Sequence, residues 1–142
     1  MTAALIIAAA TIFGPSHLDA GNPNSSMACG RAIYGEPRDL VLSTIAVASY
    51  LFPCGTWLRI CAGAVCADAQ VLDRGPRRAR TCLDRFPDPK CAMPNPLRYD
   101  LDLSIALAVE LAIGDWSGRP TRGCVPVGRG CAVTYSVVEA RS

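Results

Sequence analysis

The chain has 142 residues, 51% of them hydrophobic and 18% charged, with a formal net charge of +2. That length holds one domain and leaves no room for a second core, and the excess of apolar over charged residues excludes a disordered chain. Nothing in a near-neutral total asks for a nucleic-acid partner, which usually shows as a strongly basic face, and the local run Arg77, Arg78 and Arg80 reads as a solvated loop.

In chain order, Ala3 to Phe13 is apolar and rich in small residues, as in the central segment of a signal peptide, and too short to span a bilayer. No Lys or Arg precedes it, and Leu18-Asp19-Ala20 is a poor small-x-small cleavage site. The alternative for the same residues is a buried N-terminal helix or strand. Gly14 to Met27, with Pro15, Gly21 and Pro23, reads as a linker. The expected division is a signal-like segment and linker over 1–27 and a folded domain over 28–142, with no membrane span in the mature chain.

From Ala28 onward, short apolar runs broken by Gly and Pro predict an all-β domain. Val41 to Ala48 is the first strand predicted. Thr56 to Cys61 is the second, with Thr56, Leu58 and Ile60 on one face and Trp57, Arg59 and Cys61 on the other. The third, Cys66 to Leu72, follows Ala62-Gly63-Ala64-Val65, which predicts a hairpin closed by a cross-strand disulfide. Between Arg77 and Arg98, Pro87, Pro89, Pro94 and Pro96 forbid a regular central strand and predict a long loop. A helix is predicted over Ile105 to Ile113, with Ser104 as N-cap and Gly114 as a left-handed C-terminal cap. Val133, Tyr135 and Val137 alternate with Thr134 and Ser136 in a last strand, Cys131 to Val138, whose hairpin partner begins near Cys124.

Eight cysteines in so short a chain fit an oxidising compartment, which places the protein outside the cell, in the periplasm or at the cell wall. No Cys-x-x-Cys pair occurs, and the single histidine, His17, lies upstream of every cysteine, so no metal is expected. Short separations suggest Cys61 with Cys66, Cys82 with Cys91 and Cys124 with Cys131, which leaves Cys29 for Cys54.

The inventory for chemistry is narrow. With His17 outside the folded part, neither a Ser-His-Asp triad nor a Cys-His pair can form there. Phosphate and dinucleotide loops are missing from the sequence, and no cofactor is expected. Carboxylates remain. Asp73 follows an apolar strand in Asp73-Arg74-Gly75-Pro76, and Asp102 precedes the capped helix in Asp102-Leu103-Ser104. Burial would raise the pKa of either and make it a general acid. Each also has a purely structural reading, Asp73 opening a turn and Asp102 capping the helix or pairing with Arg74 or Arg98.

Phe52-Pro53-Cys54-Gly55-Thr56-Trp57-Leu58-Arg59-Ile60 resembles a segment of rare-lipoprotein-A-like domains. Val71-Leu72-Asp73-Arg74-Gly75-Pro76 and Leu101-Asp102-Leu103-Ser104 resemble the motifs that follow it there, and Ala28-Cys29-Gly30 is similar to the start of expansin and barwin-like barrels. The resemblance implies a six-stranded double-psi β-barrel with one packed helix and several disulfides. It also implies a groove for cell-wall glycan, lined by Asp73 and Asp102, in a family whose members act as lytic transglycosylases or loosen walls without hydrolysis. In a lytic scheme Asp102 would be the acid and base, with Asp73 orienting; two-carboxylate hydrolysis with Asp73 as base is the variant. Tyr99, Trp57, Arg74 and Ser49 are candidates for holding the glycan, and Tyr34, Tyr50 and Trp116 complete the aromatics that could stack on sugar. Ser49 stands where the lytic enzymes carry a histidine, which points toward the rival reading, a monomeric, non-catalytic binding module.

Overall fold

The structure, a computed structural model, describes residues 6–14, 26–49, 52–74, 101–127 and 130–138. The alternation seen in the sequence produces β3 (Trp57–Ala62) and β4 (Val65–Asp73), an antiparallel hairpin in which Cys61 lies opposite Cys66 and is bonded to it. Leu58 and Ile60 are fully buried while Arg59 is exposed. Gly63 turns the hairpin at φ 61°, the positive φ that the first central position of a type II′ turn requires.

β7 (Gly130–Val138) pairs with β3, and a short β6 (Pro126–Val127) pairs with its beginning, tied by the Cys124–Cys131 disulfide. The hairpin partner expected near Cys124 is therefore present. Cys29 is bonded to Cys54 as expected, and Cys82 and Cys91 lie outside the described residues, as does the predicted loop from Arg77 to Arg98.

The segment that resembles a leader forms β1 (Ile6–Phe13), antiparallel to β7 on one side and parallel to β5 (Leu101–Ser104) on the other. The barrel thus begins before the expected boundary at residue 28, and the alternative reading of these residues as a buried strand describes the structure. Ala8 and Ala10 belong to the barrel core, and Ala9, facing the other way, is equally buried. A strand covered on both faces has no polar alternation, so its sequence reads as a plain apolar run.

β2 (Ala46–Ala48) completes the sheet, antiparallel to β5 and parallel to β4. It is shorter than the predicted Val41 to Ala48, because Val41 and Thr44 close a turn: Thr44 N–H donates to the Val41 carbonyl and Val41 N–H to the Thr44 hydroxyl, both at 3.0 Å. The strand order β1-β5-β2-β4-β3-β7, with β1 also bonded to β7, closes a six-stranded barrel of mixed sense. Closure leaves no open edge among these six strands.

The core holds Leu58, Ile60, Val71, Leu101, Leu103 and Tyr135, and the helix α2 (Ile105–Glu110) lends it Leu107 and Ala108. Each such side chain contributes roughly 2 kcal/mol of apolar burial. Ser104 caps α2 as predicted, its hydroxyl accepting from Leu107 N–H at 3.4 Å and from Ala46 N–H at 3.0 Å. The C-terminus differs from the prediction. Ile113 N–H bonds the Ala108 carbonyl and Ala112 N–H the Val109 carbonyl, so the left-handed residue is Ala112, at φ 60°, rather than Gly114. Gly114 is needed for space, since a Cβ there would lie 2.9 Å from that of Ala108.

A second helix, α1 (Gly30–Tyr34), was not anticipated. Its segment covers the outer face of the sheet through a small cluster of Met27, Leu40, Ala46 and Leu72, with Phe13 and Ile33 against it. No helix among the described residues is long and apolar enough to cross a membrane.

Candidate functional site

Inward-facing residues of β1, β2 and β5, such as Ile12, Val47 and Leu103, pack in the core, so Thr11, Ala48 and Asp102 point outward. Ala48 is in register with Asp102 on one side and with Asp73 on the other. The second match is possible because the β2–β4 register shifts between Val47 and Ala48, an irregularity that advances β4 by one residue and brings Asp73 into the row. The two sequence-predicted aspartates therefore flank one small, buried residue, two strand spacings or about 10 Å apart along the sheet.

Their environments differ. Asp102 accepts a hydrogen bond from the Thr11 hydroxyl at 2.8 Å, the residue directly beside it on β1. Burial pushes the Asp102 carboxyl up to about 6; the Thr11 bond opposes that rise and the negative charge of Asp73 adds to it. Asp73 is held from its own backbone side, its Oδ1 accepting from Ala28 N–H at 2.8 Å and Arg74 N–H at 2.9 Å. One carboxyl can thus carry a proton near neutral pH while the other is fixed by amides.

The remaining candidates fall into different places. Arg74 does not reach into the row: its Nη1 donates to the carbonyls of Ser49 at 2.9 Å and Phe52 at 2.6 Å, and its Nη2 lies 3.2 Å from Cys54 Sγ. It clamps the 49–54 segment and the Cys29–Cys54 disulfide to the end of β4. Ser49 is fully buried and its N–H donates to the Asp73 carbonyl at 3.1 Å, so no glycan reaches its side chain in this arrangement. Trp57 is half-buried on the outer face, opposite Gln70 and Val138 and one row away from the aspartates. Tyr99 and Tyr50 lie outside the described residues.

Thr11 is the residue that sequence reasoning missed. Its segment has the composition of a leader, and the contact it makes spans 91 positions. A lone polar residue inside an apolar run was the signal available. An open depression on the β3–β4 hairpin, lined by Arg59, Cys66, Ala67, Asp68 and Glu110, contains neither aspartate. Its arginine is already engaged, with Nε and Nη2 of Arg59 on the two Asp68 oxygens at 2.8 and 3.1 Å.

No protein-family profile and no curated protein matches the chain in sequence. Among solved structures it is similar to an apo expansin of Clavibacter michiganensis, with a TM-score of 0.51 and 17% identity, over 98% of this chain and 52% of that one. The chain spans about half the length of that structure. At this identity the likeness is one of architecture, and the chain has an expansin-like barrel fold.

Proposed function

We propose that the protein is an extracellular module that binds cell-wall polysaccharide across the outward face carrying Thr11, Asp102, Ala48 and Asp73, with Asp102 as its working acid. The observation that carries this reading is the pairing of unlike carboxyls: Asp102 is pushed up to about 6 beside a neighbour held by two backbone amides. An environment that raises the pKa of a carboxyl is how a site obtains a general acid that works near neutral pH. The disulfides support an oxidising location. The resemblance of the ordered motifs to those of rare-lipoprotein-A-like domains, and of Ala28-Cys29-Gly30 to the start of expansin barrels, suggests the polymer class.

In the cleaving version, protonated Asp102 gives its proton to the glycosidic oxygen as the bond from the anomeric carbon breaks. The sugar's own 6-hydroxyl then attacks that carbon and returns its proton to Asp102, leaving an anhydro end and no net uptake of water. Thr11 holds the carboxyl in place in both protonation states, donating to it when it is ionised. Asp73 adds negative charge near the developing oxocarbenium ion.

A second reading is favoured by Ser49 and Arg74. The position where lytic relatives carry a histidine is a buried serine, and the arginine is spent on loop carbonyls, so the row works as a binding face alone. To separate the two, purified protein is incubated with peptidoglycan, cellulose and chitin and pelleted, and the supernatant is analysed by mass spectrometry. Anhydro fragments that vanish in Asp102→Asn establish cleavage; pelleting without fragments establishes a binder. Neither result with any of the three polymers ends the glycan reading.

A further inference from the structure

We infer that Trp116 is a glycan-stacking subsite, a rigid aromatic platform at the rim of the barrel next to the strands that carry Thr11 and Asp102. The inference rests on the glycan reading above and assigns to it a residue outside the aspartate row.

Trp116 is the most exposed aromatic residue of those described, 54% accessible, and among the described residues nothing forms a hydrogen bond or ring contact with it. Buried tryptophans ordinarily find a partner for the indole N–H. An exposed tryptophan on a loose loop would be unremarked, since single exposed apolar residues are common. This loop is not loose. Asp115 Oδ1 accepts from Ser117 N–H at 2.9 Å, the Ser117 hydroxyl at 2.6 Å and Arg119 N–H at 3.1 Å. Asp115 N–H in turn donates to the Arg119 carbonyl at 2.9 Å, Gly118 N–H donates to the Asp115 carbonyl at 3.0 Å, and Gly114 is bridged to Pro120. Gly118 takes φ 83°, a conformation that only glycine adopts freely. Five hydrogen bonds inside residues 115–119 thus fix the backbone on both sides of a side chain that forms no hydrogen bond or ring contact among the described residues.

The loop is also docked in a particular place. A Cβ on Gly118 would lie 3.4 Å from Ile105, the residue that follows Ser104 at the end of β5, and one on Gly114 would lie 3.0 Å from Ile12, the neighbour of Thr11 on β1. Both strands of the Thr11–Asp102 pair therefore end against the loop that presents Trp116. An indole held ready has two rotatable bonds to freeze on binding, so a planar apolar sugar face meets it at little entropic cost. The ligand is a chain of pyranose rings long enough to lie on the aspartate row and the rim together.

The test uses the full chain and the polymers named above. Trp116→Ala is expected to weaken pelleting about tenfold, or about 1.4 kcal/mol, and Trp116→Tyr to recover affinity to within about threefold, with the melting temperature of both variants within about 2 °C of the parent because the side chain is more than half exposed and forms no hydrogen bond or ring contact among the described residues. If the parent pellets and Trp116→Ala pellets equally well, the subsite is overturned and the glycan reading stands. If affinity falls only together with thermal stability, and Trp116→Tyr does not recover it, a structural role replaces the subsite. If the parent pellets with none of the polymers, both readings fall together.

Discussion

Thr11 and Asp102, 91 positions apart in the chain, lie side by side on parallel strands, joined by a 2.8 Å hydrogen bond from the hydroxyl to Oδ1. That bond ties the chemistry of the site to the integrity of the N-terminal strand.

The partly buried Asp102 makes stability depend on pH. Its folded-state pKa is about 6 against 3.8 for the free side chain, so the folded state binds the proton more tightly than the unfolded chain. The stability this group contributes is complete below about pH 4 and is lost as pH rises through about 6, by roughly 3 kcal/mol in all. Asp102→Asn keeps an oxygen for Thr11 and removes the titration. Urea unfolding across pH should find the variant more stable than the parent at pH 8 and no more stable at pH 4; parallel profiles would count against the assignment.

Thr11→Val removes the interaction that favours the ionised carboxylate while preserving shape. The Asp102 carboxyl should then titrate above about 6, and the pH at which stability falls should move upward with it. Loss of the bond itself costs on the order of 1 kcal/mol. Carbon-13 NMR of the carboxyl measures the change directly, and a downward displacement contradicts the geometry.

Deleting residues 1–13 should abolish folding rather than trim a dispensable leader. Without β1, the facing edges of β5 and β7 lose their ladders and Ala8 and Ala10 leave the core. Circular dichroism and gel filtration of the truncated chain check this; a monomeric, cooperatively unfolding product would show that the barrel does not need the strand.

The end of α2 offers a stabilising change. Ala112 sits at φ 60° in a position glycine fills at no steric cost, and its side chain is exposed, so Ala112→Gly should stabilise by about 1 kcal/mol. Gly123→Ala should do the reverse, because its Cβ would lie 2.0 Å from the Ala112 carbonyl oxygen. Thermal unfolding of the two variants should bracket the parent.

The disulfides should differ in worth. Replacing Cys29 and Cys54 by serine opens a loop with a separation of 25, against 5 for Cys61 and Cys66, and chain entropy then predicts losses of about 3.5 and about 2 kcal/mol. The first replacement also removes the sulfur beside Arg74, so its cost should exceed the entropic figure. Equal costs for the two pairs, measured by denaturant unfolding, would refute the ranking.

By itself the sequence determined whatever rests on neighbours along the chain. The β3–β4 hairpin, the last strand, the Ser104 cap and the Cys61–Cys66 and Cys124–Cys131 disulfides follow from alternation, turn residues and short cysteine separations, which act over a few positions, and Cys29–Cys54 is the pair that the short-range pairings leave. The ordered motifs around Asp73 and Asp102 singled out both carboxyls. Tertiary structure alone decided that Ile6–Phe13 is a barrel strand, that an irregular register brings Asp73 into line with Asp102 across Ala48, and that Arg74 and Ser49 hold a loop instead of facing outward. Periodicity reports which face of a strand is apolar and leaves its partner and register open; those are set by packing between residues far apart in the chain. Thr11 is the sharpest case, a single hydroxyl in an apolar run whose meaning depends on a strand that lies 91 positions away.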